Sequence, residues 1–448
     1  MAFELTKELL ENVSQAVEEK DALYLQPFFV DQHIADINTI LEHLNTEQAL
    51  FCFDLISFEK RAELISYLEP DTRIPFLKNF TSEQLASYIE AIDSDDAADI
   101  LNEQKNKTKE EVLSLISDEK CTFLRDLLRY DENTAGGLMA KELVRCNIAW
   151  TVKRCTEEIR NLSGIVEKVF SVYVVDDKGM LLGWMPMKKL LLASEKTPIA
   201  EIYSPEIISI KSYKDDDEVA EVMQKYDLES IPVVDIKHTL LGRITIDDVV
   251  DVITEQAEKE KQLMAGVSES VESTDSIWTI SRSRLPWLII GMLGGLLGAQ
   301  VMGFFEGDLI QVPAMAFFIP LIMATGGNVG IQSSSLVVQS LADKSDKTES
   351  LRDSIWKALL VAIINGLVIS TLMFGLNALF NGQIDIAFVV AVALFSVIIL
   401  SSLMGTITPL ILEKFKINPA LASGPFITTC NDLLGIAVYF FVARLLIM

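Results

Sequence analysis

The stretch Ala420-Leu-Ala-Ser-Gly-Pro-Phe-Ile-Thr-Thr-Cys-Asn-Asp432-Leu-Leu-Gly435 places a single carboxylate inside the last apolar run of the chain. An ionised side chain at the centre of a bilayer costs roughly 2.5–3.5 kcal/mol on insertion scales. Because that cost falls when the carboxylate faces water and meets a cation, Asp432 is predicted to line a water-filled path. This favours a membrane channel or transporter.

Four further apolar runs precede this one, and each has the roughly 20 residues needed to cross a bilayer. The five predicted spans are Leu285–Phe305, Val312–Leu341, Ala358–Phe380, Ile386–Leu412 and Leu421–Met448. An odd number of spans places the two ends of the chain on opposite sides of the membrane.

The charges of the chain are divided unevenly. Of 38 basic and 64 acidic residues, nine of each fall from Ile280 onward, so the first 279 residues carry the whole net charge of −26. Such an excess of acid repels nucleic acid and anionic lipid and attracts cations, so nucleic acid is not expected as a partner. A well-solvated acidic protein would show the same excess.

The positions of lysine and arginine predict the orientation of the chain in the membrane. They lie before the first span, between the second and third, and between the fourth and fifth, whereas the loops at 306–308 and 381–385 contain neither. The positive-inside rule then places the acidic front half in the cytoplasm and the C-terminus outside, with only Arg444 against it. A multi-pass protein of the cell membrane is expected.

The second span carries polar groups at membrane depth, in the run Gly326-Gly327-Asn328-Val-Gly330-Ile-Gln-Ser-Ser-Ser335. Unpaired amides and hydroxyls are costly in lipid, so they are expected to pair across helices or to line water. Glycines there either let helices approach closely or free backbone carbonyls to face a cavity.

Residues 1–130 are predicted to form consecutive short amphipathic helices, a small helical superhelix. Cap signals such as Asn45-Thr46-Glu47 and Thr81-Ser82-Glu83 precede segments with apolar residues at helical spacing. Their phenylalanines and leucines are interpreted as core residues.

From about Asn133 the pattern changes to two copies of a βαβ plan about sixty residues apart. The copies centre on Val169–Gly183 and Leu228–Asp248. A repeat of this period resembles a tandem of cystathionine-β-synthase (CBS) domains, placed at 131–199 and 200–257, a module that commonly binds adenine nucleotides. Thr245 and Asp248 fit the nucleotide motif of that module, and they would equally cap the following helix.

The acids of the front half are clustered. The clusters are Asp93, Asp95, Asp96 and Asp99; Asp215, Asp216, Asp217 and Glu218; and Asp247, Asp248, Asp251, Glu255, Glu258 and Glu260. Like charges four apart on a helix destabilise each other unless a cation lies between them. Oxygen ligands of this kind suit Mg²⁺, and a solvated acidic helix is the alternative.

These features together resemble the MgtE family of magnesium channels and transporters over nearly the whole chain. The specific motifs are Gly326–Ser333 in the second span and Pro419–Gly435 in the fifth. The resemblance implies a multidomain membrane protein with an all-α N-terminal superhelix, tandem α/β CBS domains, a connecting helix at 258–279 and a five-helix transmembrane domain at 280–448. It also implies a homodimer that imports Mg²⁺ and closes when cytoplasmic Mg²⁺ binds the acidic domains.

The resemblance further implies site residues. Asp432 would hold hydrated Mg²⁺ in a pore lined by Gly326, Gly327, Asn328, Thr428 and Asn431. The sensor residues would be Asp95, Asp99, Asp215, Asp217, Asp227, Asp248, Asp251, Glu255 and Glu260. Gln256, Lys259 and Ile331 depart from the family pattern, so some sensing sites and the pore lining are expected to differ.

Two other functions stay open at this point. One is an ion-coupled secondary transporter of divalent cations such as Co²⁺ or Mn²⁺; the other is a channel gated chiefly by ATP at the CBS domains. An enzyme is not expected, because the sequence shows no nucleophile–base pair and no cytosolic Gly-rich phosphate loop. The five cysteines form no C-x-x-C pair, which disfavours a zinc or thiol site.

Overall fold

The computed structural model describes residues 6–162, 169, 171–268, 271, 276–342, 351–381, 384–422 and 424–447. They form two compact units, Met1–Ile253 and Thr254–Met448. The predicted fold class is confirmed: a helical domain, two α/β repeats and five long apolar helices follow one another along the chain.

Ten short helices make up the described part of the first domain. They are α1 (Lys7–Glu18), α2 (Ala22–Asp31), α3 (Ile34–Leu41), α4 (Thr46–Asp54), α5 (Phe58–Tyr67), α6 (Pro70–Leu77), α7 (Ser82–Ala91), α8 (Ser94–Asn102), α9 (Asn106–Leu113) and α10 (Asp118–Leu127). The predicted caps are present: Asn45 and Thr81 each close a capping box with a glutamine three residues later, which satisfies backbone N–H groups at the start of α4 and α7.

Each α/β repeat contains a three-stranded sheet in which the first two strands are parallel and the last two antiparallel. The first repeat comprises β1 (Val144–Asn147), α11 (Val152–Asn161), β2 (Val172–Val175), β3 (Leu181–Met185), α12 (Met187–Leu192) and α13 (Ile199–Ile202). The second comprises β4 (Ile210–Lys211), α14 (Asp216–Tyr226), β5 (Ser230–Val234), β6 (Leu240–Thr245) and α15 (Ile246–Met264). Leu181 N donates to His238 O and Leu240 N to Gly179 O, both at 3.0 Å, so the hairpin tips join the repeats.

One hydrophobic core extends from the helical domain into the second repeat. Phe53 and Ile89 belong to it, as do Met223 and Val233, and Met139 of the intervening segment is also buried in it. The first repeat has a separate core around Val172 and Leu190. The helical domain is therefore packed on the second repeat by apolar burial as well as by polar contacts.

The predicted boundary between the second CBS domain (200–257) and the connecting helix (258–279) falls inside a single helix. α15 continues without a break from Ile246 to Met264, because no glycine or proline interrupts that stretch. Gly266, with φ +80°, ends it, and residues 265–268 are not helical. The predicted connecting helix at 258–279 is thus not a separate element; its residues 269–270 and 272–275 lie outside the described part of the chain.

The five predicted spans are confirmed as five helices long and apolar enough to cross a membrane. They are α16 (Ile277–Phe304), α18 (Ile319–Ala342), α19 (Leu351–Asn381), α20 (Ile384–Lys414) and α21 (Pro425–Ile447), with the short α17 (Glu306–Gln311) after the first. α16 begins eight residues before the predicted span because hydropathy detects only its apolar part, whereas Arg282 and Arg284 are helical too.

The glycine-rich run of the second span does not break its helix. α18 is a continuous α-helix from Ile319 to Ala342, and the irregular backbone lies earlier, in a 3₁₀ turn at Pro313–Phe318. The glycines serve close packing instead: a Cβ on Gly405 of α20 would strike the carbonyl oxygen of Gly330. Freed carbonyls in this run, one of the two readings above, are therefore excluded.

Candidate functional site

Asp432 lies half-buried on α21, beside the glycine run of α18. A Cβ built on Gly327 would lie 3.8 Å from Asp432 Oδ1 and 3.2 Å from Thr428 Cγ2. Gly327, Thr428 and Asp432 therefore meet at one place between two membrane helices. The absence of a side chain at Gly327 lets the backbone of α18 lie next to Thr428 and to the Asp432 carboxylate.

The other predicted pore residues are placed differently. Gly326 faces α20, since a Cβ there would lie 3.0 Å from Val397 Cγ1 and 3.2 Å from Ser401 Oγ. Asn328 is exposed on α18. Asn431 is only 1% exposed and packs against Gly330, and neither polar atom of its side chain has a hydrogen-bond partner among the described residues. Within one chain, Gly326, Asn328 and Asn431 therefore do not join the group formed by Gly327, Thr428 and Asp432.

Several polar groups of the second span pair across helices, as one of the two sequence interpretations predicted. Ser333 Oγ and Ser402 Oγ are 3.0 Å apart, and Ser334 Oγ donates to Ala422 O at 3.3 Å. These bonds remove the cost of burying hydroxyls in an apolar bundle. They also fix α18 against α20 and against the segment before α21.

A second candidate site is an acidic cluster in the first unit. Burial, together with the charge of Asp248, raises the pKa of Asp95 well above its usual range. The same two causes raise the pKa of Asp96 to about 6. Burial raises the pKa of Asp248 to about 6, against the opposing effect of its hydrogen bonds from Thr245. The fold thus brings carboxylates of α8 and α15 together at an electrostatic cost.

Asp248 also contacts the predicted nucleotide residue. Its Oδ2 accepts from Thr245 N at 3.0 Å and from Thr245 Oγ1 at 2.8 Å, so the carboxylate satisfies the backbone N–H of the residue that precedes α15. The hydroxyl and the carboxylate that fit the nucleotide motif are therefore bonded to each other.

The remaining predicted sensor residues are spread over three helices. Asp99 is exposed on α8; Asp215 is the N-cap of α14, Asp217 lies in its first turn and Asp227 ends it with φ 53°; Asp251, Glu255 and Glu260 follow Asp248 along α15. Within the described residues, no three histidine, cysteine or acidic side chains are placed to hold a metal ion together. Mg²⁺ keeps several waters and needs only one or two carboxylates, so the pair formed by Asp95 and Asp248 still suits it.

A buried polar network lies beside this cluster, and no sequence pattern predicted it. Glu142, 5% exposed, accepts hydrogen bonds from Ser94 and from Lys120 Nζ. Burial raises the pKa of Glu142, but the charge of Lys120 and the bonds from Ser94 outweigh it, so the pKa lies below its usual range. Ser94 and Glu142 are 48 residues apart, and no motif connects them.

Comparison with known families matches three parts of the chain. The MgtE intracellular N domain matches residues 32–133, the CBS domain residues 199–255, and the MgtE divalent cation transporter domain residues 319–442. The helical domain, the second repeat and the helices that carry Asp432 each fall within one of these ranges.

Curated relatives and a solved structure match over longer ranges. The magnesium transporter MgtE of Thermus thermophilus is 30% identical over 448 residues, 99% of each chain. That of Bacillus subtilis is 29% identical and covers 92% of this chain and 94% of its own. A structure of the cytosolic domain of the Mg²⁺ channel MgtE in complex with ATP is 30% identical, covers 55% of this chain and 100% of that one, and gives a TM-score of 0.51. The chain therefore belongs to the MgtE family of divalent cation transporters.

Proposed function

We propose that this protein carries Mg²⁺ across the cell membrane along a path lined by Asp432. The observation that carries the proposal is the meeting of Asp432, Thr428 and Gly327 between two membrane helices. The relatives that match nearly the whole chain are named magnesium transporters, which supports Mg²⁺ as the ion.

The chemistry of the site suits a hydrated ion. Mg²⁺ gives up its waters reluctantly, so a pore passes it faster by hydrogen-bonding the water shell than by stripping it. Asp432 supplies the charge, and Thr428 lies beside it against Gly327. A carboxylate that coordinated the bare ion would need more oxygen ligands than this place offers.

Two copies of the chain would complete the path. Each chain supplies one carboxylate at this depth, and Mg²⁺ is commonly held through one or two. Asn328, exposed on one chain, would then face the shared path together with its copy. A homodimer with the pore on its axis follows, with Gly326 and Asn431 supporting α18 and α21 from behind.

The acidic front half lies in the cytoplasm and the C-terminus outside in this proposal. The distribution of lysine and arginine supports it, as does the relative whose corresponding part is described as cytosolic. Arg444, the one exception, is ion-paired with Asp308, so its charge is offset locally.

The acidic cluster would report cytoplasmic Mg²⁺. Asp95 and Asp248 repel each other across the contact between α8 and α15, and a hydrated divalent cation there would remove the repulsion. Asp99, Asp215, Asp217, Asp227 and Asp251 of the first unit, and Glu255 and Glu260 of the second, are proposed as further ligands. High Mg²⁺ would therefore hold the helical domain on the second repeat and close the path.

ATP is proposed as a second regulator. A relative was solved in complex with ATP. In this chain a nucleotide that used Thr245 and Asp248 would replace the bond between them and would compete with Mg²⁺ for Asp248.

Uptake of Mg²⁺ into liposomes that carry the purified protein tests the path. Asp432→Asn should abolish uptake, whereas Asp385→Asn, which neutralises an exposed carboxylate at the start of α20, should leave it unchanged. Equal uptake by wild type and Asp432→Asn would remove Asp432 from the path.

A further inference from the structure

The segment Ala140–Glu142, which we name the strap, lies between α10 and β1 and is hydrogen-bonded to both sides of a domain contact. Ala140 N donates to Arg243 O at 2.8 Å, and Arg243 N donates to Ala140 O at 3.0 Å. This pair of backbone bonds adds the strap to the edge of β6. The strap is therefore part of the second repeat.

Lys141 connects the strap to the helical domain while it also holds the second repeat. Its Nζ donates to Asp126 Oδ2 of α10 at 2.7 Å and to Leu241 O of β6 at 3.1 Å. Its backbone N donates to Ser94 Oγ at 2.8 Å. Three hydrogen bonds from this residue thus reach both domains.

Glu142 makes the most buried part of this contact. Its Oε2 accepts from Ser94 N at 3.1 Å and from Ser94 Oγ at 2.6 Å, and its Oε1 accepts from Lys120 Nζ at 3.0 Å. Ser94 is 0% and Lys120 8% exposed. Removal of one partner would leave a buried charge without compensation, which is far more costly than the net worth of the pair.

The position of Ser94 connects this network to the acidic cluster. Ser94 is the first residue of α8, and the next two residues are Asp95 and Asp96. Burial, and after it the charge of Asp248, raises the pKa of both carboxyl groups. The bonds of Glu142 to Ser94 therefore hold the end of α8 that carries these two acids.

We propose that Glu142 is a positioning residue of the sensor: its bonds to Ser94 and Lys120 hold α8 against the second repeat without any metal, and so lower the Mg²⁺ concentration needed for closure. Charge repulsion opens the contact and Glu142 opposes it, so the balance between them sets the sensing range. The Mg²⁺ part of this inference rests on the proposed function, whereas the metal-free holding does not.

Hydrogen–deuterium exchange of residues 94–102 in the full-length protein in detergent tests the inference. Wild type and Glu142→Gln are compared in EDTA and across a Mg²⁺ titration. Glu90→Gln is the control for the chemical change, because Glu90 accepts from Ser117 N at 2.9 Å and Ser117 Oγ at 2.6 Å at an exposed site inside the helical domain.

Glu142→Gln should exchange faster than wild type in EDTA and need at least about tenfold more Mg²⁺ for half-maximal protection, because Lys120 is left as a buried charge without its carboxylate. Glu90→Gln should behave as wild type. Adding Asp248→Asn to Glu142→Gln should restore slow exchange in EDTA, because it removes the repulsion; a general folding defect would not be restored in this way.

Exchange of Glu142→Gln equal to that of Glu90→Gln, or no rescue by Asp248→Asn, would overturn the inference. If Mg²⁺ does not slow the exchange of residues 94–102 in wild type, the proposed sensor is contradicted instead. The comparison in EDTA would then still decide the role of Glu142.

Discussion

Arg444 Nε donates to Asp308 Oδ2 at 2.6 Å, which ties the end of α21 to the short helix α17. The guanidinium also lies 4.9 Å from the centre of the Phe305 ring, and Phe305 stacks on Phe440 at 4.7 Å. Tyr439 OH donates to Met315 O at 2.9 Å nearby. The half of α21 beyond Asp432 is therefore anchored, and the one basic residue that opposed the predicted orientation has a structural partner.

Breaking this ion pair should cost stability without stopping transport. Asp308→Asn and Arg444→Gln should each lower stability by about 1 kcal/mol, since Arg444 is half-exposed and the pair is partly screened. The double variant should be no less stable than either single one. Thermal unfolding in detergent measures this, and additive losses would show that the two side chains do not act together.

Gly330 should not tolerate a side chain. A Cβ there would lie 2.8 Å from Ile427 Cγ2 and would strike the Asn431 amide, so Gly330→Ala should destabilise by about 1–3 kcal/mol through overpacking. Gly295→Ala is the matched control on α16, because no described residue outside the local backbone of α16 lies within 4 Å of the added methyl group. Equal thermal midpoints for the two variants would contradict the packing of α18 on α21.

The contact between the helical domain and the second repeat at the acidic cluster should close without metal as the pH falls. The pKa values of Asp96 and Asp248 are raised to about 6 in the folded arrangement, so this arrangement binds more protons than the open one between about pH 4 and 7. Its stability therefore rises as the pH falls through 7 towards 4. Glu142, whose pKa is lowered, stays ionised over most of this range.

Limited proteolysis of the protein in EDTA, normalised to an unstructured reporter peptide at each pH, measures that dependence. Protection of the helical domain should be greater at pH 5.5 than at pH 8, and Asp248→Asn should reduce the difference. Protection from proteolysis that increases with pH would contradict the raised pKa values of the acidic cluster.

Thr245→Val should weaken ATP binding while leaving Mg²⁺ uptake intact. The variant keeps the shape of the side chain but loses the hydroxyl that contacts Asp248 at 2.8 Å. Calorimetry with ATP in EDTA, on wild type and variant, separates the nucleotide role from helix capping. Unchanged ATP affinity would leave Thr245 as a cap only.

Local patterns predicted much of the fold. Capping residues such as Asn45 and Thr81 act within three residues of themselves, and the apolar spans are long enough to be read directly. The α/β repeat was visible because both copies carry the same strand–turn–strand pattern. These features depend on residues that are close in sequence, so they can be predicted from the sequence alone.

Features that depend on distant residues could not be predicted in the same way. The continuity of α15 was not predicted, because a domain boundary was expected inside it. The absence of glycine and proline from 248 to 264 would have indicated an unbroken helix. Glu142 and Ser94 meet only through the packing of α8 and α10 on the second repeat. The burial of Asn431 likewise follows from Gly330 on another helix.

Mg²⁺ flux into liposomes tests the central claim most directly when Mg²⁺ is varied on the side that faces the acidic domain. Wild type should pass Mg²⁺ when Mg²⁺ on that side is low and much less when it is high, and Asp432→Asn should pass none at either concentration. Flux through Asp432→Asn would contradict the path, and wild-type flux indifferent to Mg²⁺ on that side would contradict closure by the acidic cluster.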